Sequence, residues 1–297
     1  MVRNDVAGAD GGRQSREGDL RLTICWALFF VWIVLHVASM LAPNPLLGLA
    51  ILILPVIVLI QGSILYGWRG ILCYLAIGVT VGFLLEASSV ANGFPFGSYT
   101  HNVAGPKPAG VAIQAIVAYA LTGWFALLIG KVLVLDGPHG RQRYGRIVVP
   151  LVAAFVIAGL DLPHDPLGAT IKKDWTFAHP SGLYGVPLTN LLGWLFTGYV
   201  LFQIFVLIEH RFRPAPASDK RSFWALPCLV WLGMALPFPL GWPGASLETV
   251  VSGDRTYVIA DIFEGGIMVS LFSMVLLALL ALNKLYLGGW KSSREAA

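Results

Sequence analysis

Residues 147–166 read I-V-V-P-L-V-A-A-F-V-I-A-G-L-D-L-P-H-D-P. The apolar run Ile147 to Leu160 predicts a helix in hydrocarbon, and Asp161 ends it with a carboxylate. An ionisable group at such depth costs roughly 2.5–3.5 kcal/mol or more and marks a functional hypothesis by default. Pro163 follows at once, so the helix is expected to end or kink there, lining a polar cavity. Working outward, Trp175 and the string G-L-Y-G-V-P-L-T-N-L-L-G-W at 182–194 lead into another apolar run. Upstream, Glu86 ends a third run and precedes N-G-F-P-F-G-S-Y at 92–99. Two acids, each followed by Gly, Pro and aromatic residues, read as two halves of one site.

The composition agrees with a membrane protein. The chain is 57% hydrophobic and 12% charged, with mean hydropathy +0.74, against about 25% charged residues in soluble domains. The expected fold is all-α, a polytopic transmembrane bundle with spans near 20–42, 46–67, 70–90, 111–135, 146–163, 184–209, 223–241 and 262–287. Only helices and closed barrels satisfy the backbone in lipid, and runs of this length select helices. Residues 20–287 form one transmembrane domain in this reading, 1–19 a disordered cytoplasmic N-terminus and 288–297 a cytoplasmic tail. The first run is too long for a signal-peptide core and is kept as a span.

Charge sets the expected orientation. Arg3, Arg13, Arg16, Arg21, Arg69, Lys131, Arg141, Arg143, Arg146, Arg211, Arg213, Lys220, Arg221, Lys284, Lys291 and Arg294 all fall on one side. The other side holds Lys107, Lys172, Lys173 and Arg255 among Asp165, Asp174, Glu248 and Asp254. Both termini are then cytoplasmic in the cell membrane, and segments 86–110, 161–187 and 242–264 lie outside, with re-entrant or interfacial stretches. Cys25, Cys73 and Cys228 match no metal spacing and read as packing residues. The scattered basic residues do not suggest nucleic-acid binding.

Several polar side chains are candidates for the site. Glu86 continues a small-residue stripe with Gly78 and Gly82, which turns it into the bundle; the other reading is an interfacial carboxylate reaching water. Asp161 and Asp165 are candidates against solvated loop aspartates. Phe94, Phe96 and Tyr99 supply aromatic lining, and Trp175 either lining or an interfacial anchor. Tyr184, Asn190 and Trp194 stand near the start of a span; Asn190 either orients a carboxylate or bonds between helices. His164 is a weak further candidate, since a lone histidine is more often a hydrogen-bonding loop residue. Asp261 and Glu264 share a helix face, as site members or as complements of the helix dipole.

The chemistry narrows by elimination. The histidines are His36, His101, His139, His164, His179 and His210, without the close pairs that hold iron in membrane oxygenases. No P-loop or dinucleotide fingerprint is present. D-x-x-x-D at 161–165 is one weak match to the magnesium–diphosphate motif of membrane prenyltransferases, and no second copy exists. What remains is carboxylic acid chemistry in an aromatic cavity. An apolar site favours the protonated form of a carboxyl, a protonated acid can donate, and aromatic rings stabilise a developing cation. That combination suits alkene protonation followed by water capture.

These strings resemble the carotenoid biosynthesis membrane family, whose characterised members are CruF-type carotenoid 1′,2′-hydratases, including bisanhydrobacterioruberin hydratase. The acid with G-F-P-F-G-S-Y, the D-x-x-x-D-P string, the later tryptophan and the 182–194 string carry the resemblance, over roughly residues 78–200. It implies cofactor-independent hydration of the terminal double bond of a linear ψ end group, giving a tertiary hydroxyl. Glu86, Asp161 and Asp165 match the family's motif acids, and Asn190 and Trp194 its motif in the sixth span. The implied partners are a lycopene-, γ-carotene- or bisanhydrobacterioruberin-type carotenoid, the bilayer and other carotenoid-pathway enzymes, with no metal. The chain departs from the pattern at A-G-V-A-I-Q-A-I-V-A-Y (109–119), where a Pro-rich string is expected, and at His101 and Asn102, where a Tyr-acid pattern is usual. The alternatives are a non-catalytic carotenoid or lipid carrier, a transporter, or a magnesium-dependent prenyltransferase.

Overall fold

The computed structural model describes residues 3–42, 44, 48–138, 144–212 and 216–291. Among them, seven continuous helical stretches are long and apolar enough to cross a membrane. The helices are α1 (Arg3–Leu41), α2 (Ile53–Asn92), α3 (Ile113–Val134), α4 (Gly145–Pro166), α5 (Leu188–Ile208), α6 (Arg221–Ala235), the short α7 (Pro237–Gly241), α8 (Ile259–Ser270) and α9 (Leu276–Tyr286). A π-helical turn, Leu167–Lys172, extends α4, and another, Leu271–Val275, joins α8 to α9.

The stretch Leu49–Asn92 is two spans. Gly67 sits at φ 67°, ψ 171°, inside otherwise helical backbone. A side chain built on Gly62 would meet Ile71 Cβ at 2.8 Å, whereas nine residues on a straight helix rise about 13.5 Å. The chain therefore reverses at Gly67, a backbone conformation that glycine reaches without a Cβ clash. With that reversal the chain forms the polytopic helical bundle that the apolar runs predict. It is a multi-pass membrane protein.

α1 begins at Arg3, so the backbone of residues 3–19, expected to be disordered, is helical. The span behind it is already nucleated, and each added residue gains a hydrogen bond without a new nucleus. Arg141, Arg143, His139, Arg213, Arg294 and tail residues 292–297 lie outside the described residues.

Pro163, expected to end or kink α4, does not end it. α4 runs through Pro150, Pro163 and Pro166. A proline cannot bond the carbonyl four residues back, and in lipid that carbonyl needs another donor. Neighbouring helices supply it. Ser273 Oγ donates to Gly159 O at 2.8 Å, opposite Pro163. Gln203 Nε2 donates to Arg146 O at 3.0 Å, opposite Pro150. In α6, Gln61 Nε2 donates to Phe223 O at 2.9 Å, opposite Pro227. The prolines become cross-links between helices, and α4 stays continuous between α3 and α5.

Two short antiparallel ribbons join the loops at one end of the bundle. β1 (Tyr99–His101) pairs with β2 (Trp175–Phe177), and β3 (Thr249–Ser252) with β4 (Arg255–Val258). Lys173 Nζ donates to Val251 O at 2.6 Å, tying the second of these loops to the third. At the other end Glu209 accepts from Lys131 Nζ at 2.8 Å and from the Tyr66 hydroxyl, locking α2, α3 and α5 together.

Candidate active site

Gly78 and Gly82 face Ala120 and Tyr119 of α3, and Glu86 continues that line one turn further. It sits six residues before the end of α2, about 9 Å along the axis. On α4, the unbroken helix puts Asp161 and Asp165 four residues apart on one face. Asn190, in the first turn of α5, reaches both: its Nδ2 donates to Asp161 Oδ2 at 2.9 Å and to Asp165 Oδ2 at 2.5 Å. Glu86, Asp161, Asp165 and Asn190 are 5%, 7%, 4% and 5% exposed, so no bulk water screens them. The three carboxyls lie within electrostatic reach of one another.

All four line one cavity of about 270 Å³. The β1–β2 ribbon covers it. Alternation along each strand puts Tyr99 and His101 on the same face as Trp175 and Phe177, with Tyr99 opposite Phe177 and His101 opposite Trp175. All four line the cavity. Asn102 fastens the ribbon, donating to Lys173 O at 2.9 Å and Thr176 Oγ1 at 2.8 Å. The Trp175 indole comes within hydrogen-bonding reach of Asp165. His101 Nε2 lies 3.6 Å from Glu86 Oε2. Trp194 stacks on Tyr119 with centroids 4.2 Å apart.

A second cavity, about 320 Å³, lies against the first. Its lining includes Trp32, His36, Leu54, Leu160, His164 and Met234, and it shares Ala118, Asp161 and Trp194 with the first. Ile51 on its wall is 56% exposed, which in this bundle is a lipid-facing side chain.

A family model for carotenoid biosynthesis proteins matches residues 44–247, more than half of the chain. The chain belongs to the carotenoid biosynthesis protein family. It is also 29% identical over 170 residues to bisanhydrobacterioruberin hydratase of Haloarcula japonica, a match covering 53% of each chain. The chain thus spans about half the length of the curated relative it matches. No solved structure matches it. Family membership gives the protein a carotenoid biosynthetic role.

Within this family member the expected site residues divide. Glu86, Asp161, Asp165, Tyr99, Trp175, Asn190 and Trp194 line the first cavity. Phe96 is buried behind its wall, against Tyr119 at 6.0 Å. Phe94 is 57% exposed and packs on Phe196; the turn at 93–97 points these two rings opposite ways. His164 lies in the second cavity, its Nδ1 2.8 Å from Leu160 O and its ring on Phe238. Asp261 and Glu264 are exposed at the start of α8 and line neither cavity. Tyr184 joins them there, edge-on to Tyr257; partial burial, then Asp261 and Glu264, holds its phenol above its ordinary pKa.

Tyr119 and Gln114 line the first cavity although sequence reasoning did not select them, and His101 enters it at a departure from the family pattern. Tyr119 had one available signal: a phenol inside an apolar span, on the α3 face that packs against the Gly78–Gly82 stripe. Among the described residues, no three His, Cys, Asp or Glu side chains group as a metal site.

Proposed function

We propose that this protein is a carotenoid hydratase, adding water across the terminal 1′,2′ double bond of a linear, ψ-end carotenoid without a cofactor. The observation that carries this reading is the convergence of Glu86, Asp161 and Asp165 on one aromatic cavity. One carboxylic acid delivers its proton to C2′, using the π electrons of the double bond. The tertiary cation at C1′ lies among Tyr99, Tyr119, Trp175 and Trp194, whose ring faces attract it. A water lone pair then bonds C1′, and a carboxylate takes the proton the water loses. One water is consumed and the site's proton count is unchanged. Asn190 fixes the two aspartates in register for this transfer.

A long polyene suits a site at the end of a bundle that crosses about 30 Å of hydrocarbon. Its end group occupies the first cavity and the adjoining chain the second, through the shared wall at Ala118, Asp161 and Trp194. Both termini lie on the cytoplasmic side in this reading, as the basic residues require, and the site faces the other side. The bisanhydrobacterioruberin type of substrate is supported by the relative's name; lycopene and γ-carotene share the same end group.

The test is incubation of purified protein in nanodiscs with lycopene in water enriched in heavy oxygen. A labelled gain of one water supports hydration. Tight binding without conversion would replace it with a carrier. Asp161→Asn and Glu86→Gln should each lower the rate about 10²–10⁴-fold, and parental rates in both, with folding intact, would sink the reading.

A further inference from the structure

We propose that Glu86, His101 and Tyr119 hold the reacting water, while the Asn190-linked aspartates deliver the proton. This assignment rests on the hydratase reading and divides its labour. Glu86 Oε2, His101 Nε2 and the Tyr119 hydroxyl are buried without a hydrogen bond of normal geometry among the described residues, the hydroxyl coming within reach of Glu86 alone. Nearly all buried polar side-chain atoms have such a bond, so three in one cavity call for a polar reactant. The carotenoid end group is hydrocarbon and offers neither donor nor acceptor. Water is the reactant that offers both, and a bound water takes two to four polar partners. Here it finds a carboxylate acceptor, an imidazole nitrogen and a phenol that donates or accepts.

The aspartates are situated differently. Asp161 Oδ2 and Asp165 Oδ2 both accept from Asn190, and Tyr119 lies within electrostatic reach of all three acids. The Tyr119 ring is pinned on Trp194, and β1 holds His101 above Glu86 at 3.6 Å. In the reaction the water oxygen bonds C1′ as its O–H electrons stay on oxygen, and the released proton passes to Glu86. That proton returns to the aspartates before the next turnover. His101 and Tyr119 are water-positioning residues.

The two halves have separable signatures in heavy water. Protonation by the aspartates places deuterium on C2′. Where no water is held, the cation loses a proton back to Glu86 or solvent and returns as a deuterated alkene. Tyr119→Phe, which keeps the stacked ring, and His101→Gln should each lower hydration about 10–100-fold, with the KM for carotene unchanged. In both, deuterium in recovered alkene per molecule of hydrated product should rise at least about 10-fold. Asn190→Leu should lower exchange and hydration together. The assignment is overturned if folded Tyr119→Phe and His101→Gln keep the parental ratio of exchange to hydration. If the parental protein itself gives neither product, the hydratase reading fails and the assignment falls with it.

Discussion

Asn190→Leu is the substitution that most directly tests how the site is held. The two side chains branch alike at Cγ, but leucine removes the one amide that serves two buried carboxyl oxygens, at 2.9 and 2.5 Å. A buried polar group left without its partner costs about 1–3 kcal/mol, so the pair costs about 2–6 kcal/mol unless the helices shift. With α4 cross-linked by Ser273 and Gln203, the aspartates are instead expected to swing on their own side-chain torsions. A displacement of about 1 Å at reacting groups costs on the order of 10²-fold in rate, equal to about 2.7 kcal/mol of barrier. The assay pairs carotene hydration in nanodiscs with thermal melting of the same preparation. Asn190→Leu should melt below the parental protein and lose about 10²-fold in kcat; Asn190→Gln, with an amide on a longer arm, should fall between. Thr197→Val provides a control on the same helix: its buried hydroxyl has no partner among the described residues, so its loss should be near neutral. Parental activity and melting in Asn190→Leu would refute the claim that this amide organises the acids.

Ser273→Ala should cost about 1–3 kcal/mol by freeing the Gly159 carbonyl, and much less in a Pro163→Ala background, where a backbone N–H serves that carbonyl again; additive melting shifts in the double-mutant cycle would argue against the pairing. Lys131→Met should destabilise by about 3 kcal/mol, the low end for a broken buried pair because the Glu209 side chain is 19% exposed, and Lys131→Met with Glu209→Leu should melt closer to parental than Lys131→Met alone. Ala118→Trp fills the wall common to both cavities and should weaken carotene retention roughly 10–200-fold, the range for altered pocket fit, measured by pigment co-purification; Leu84→Trp, on an exposed position of α2, should leave it unchanged.

The membrane class, the helices and the acids were legible in the chain because each is a local signal. Apolar runs of span length need no partner to be read, and a carboxylate at the end of one is conspicuous by its cost alone. Even the stripe Gly78–Gly82–Glu86 follows from helix periodicity. Pro163 misled for the same reason: locally a proline ends a helix, and only Ser273, distant in sequence, supplies the donor that lets α4 continue. His101 and Tyr99 reach the cavity through pairing with residues 175–177, contacts no periodicity in 99–101 announces. Asp261 and Glu264 share the predicted side with the other acids, yet side is one coordinate out of three, and packing leaves them exposed.

The sequence by itself determined that this protein crosses a membrane as helices, which acids lie at the ends of its spans, and which family its motifs resemble, because hydrophobic length and motif spacing are properties of the chain. Only the tertiary structure decided that Glu86, Asp161 and Asp165 share a cavity, that one amide joins the two aspartates, and that His101 and Tyr119 stand beside Glu86. Those relations depend on which helix faces meet and on how three distant loops close over one end of the bundle.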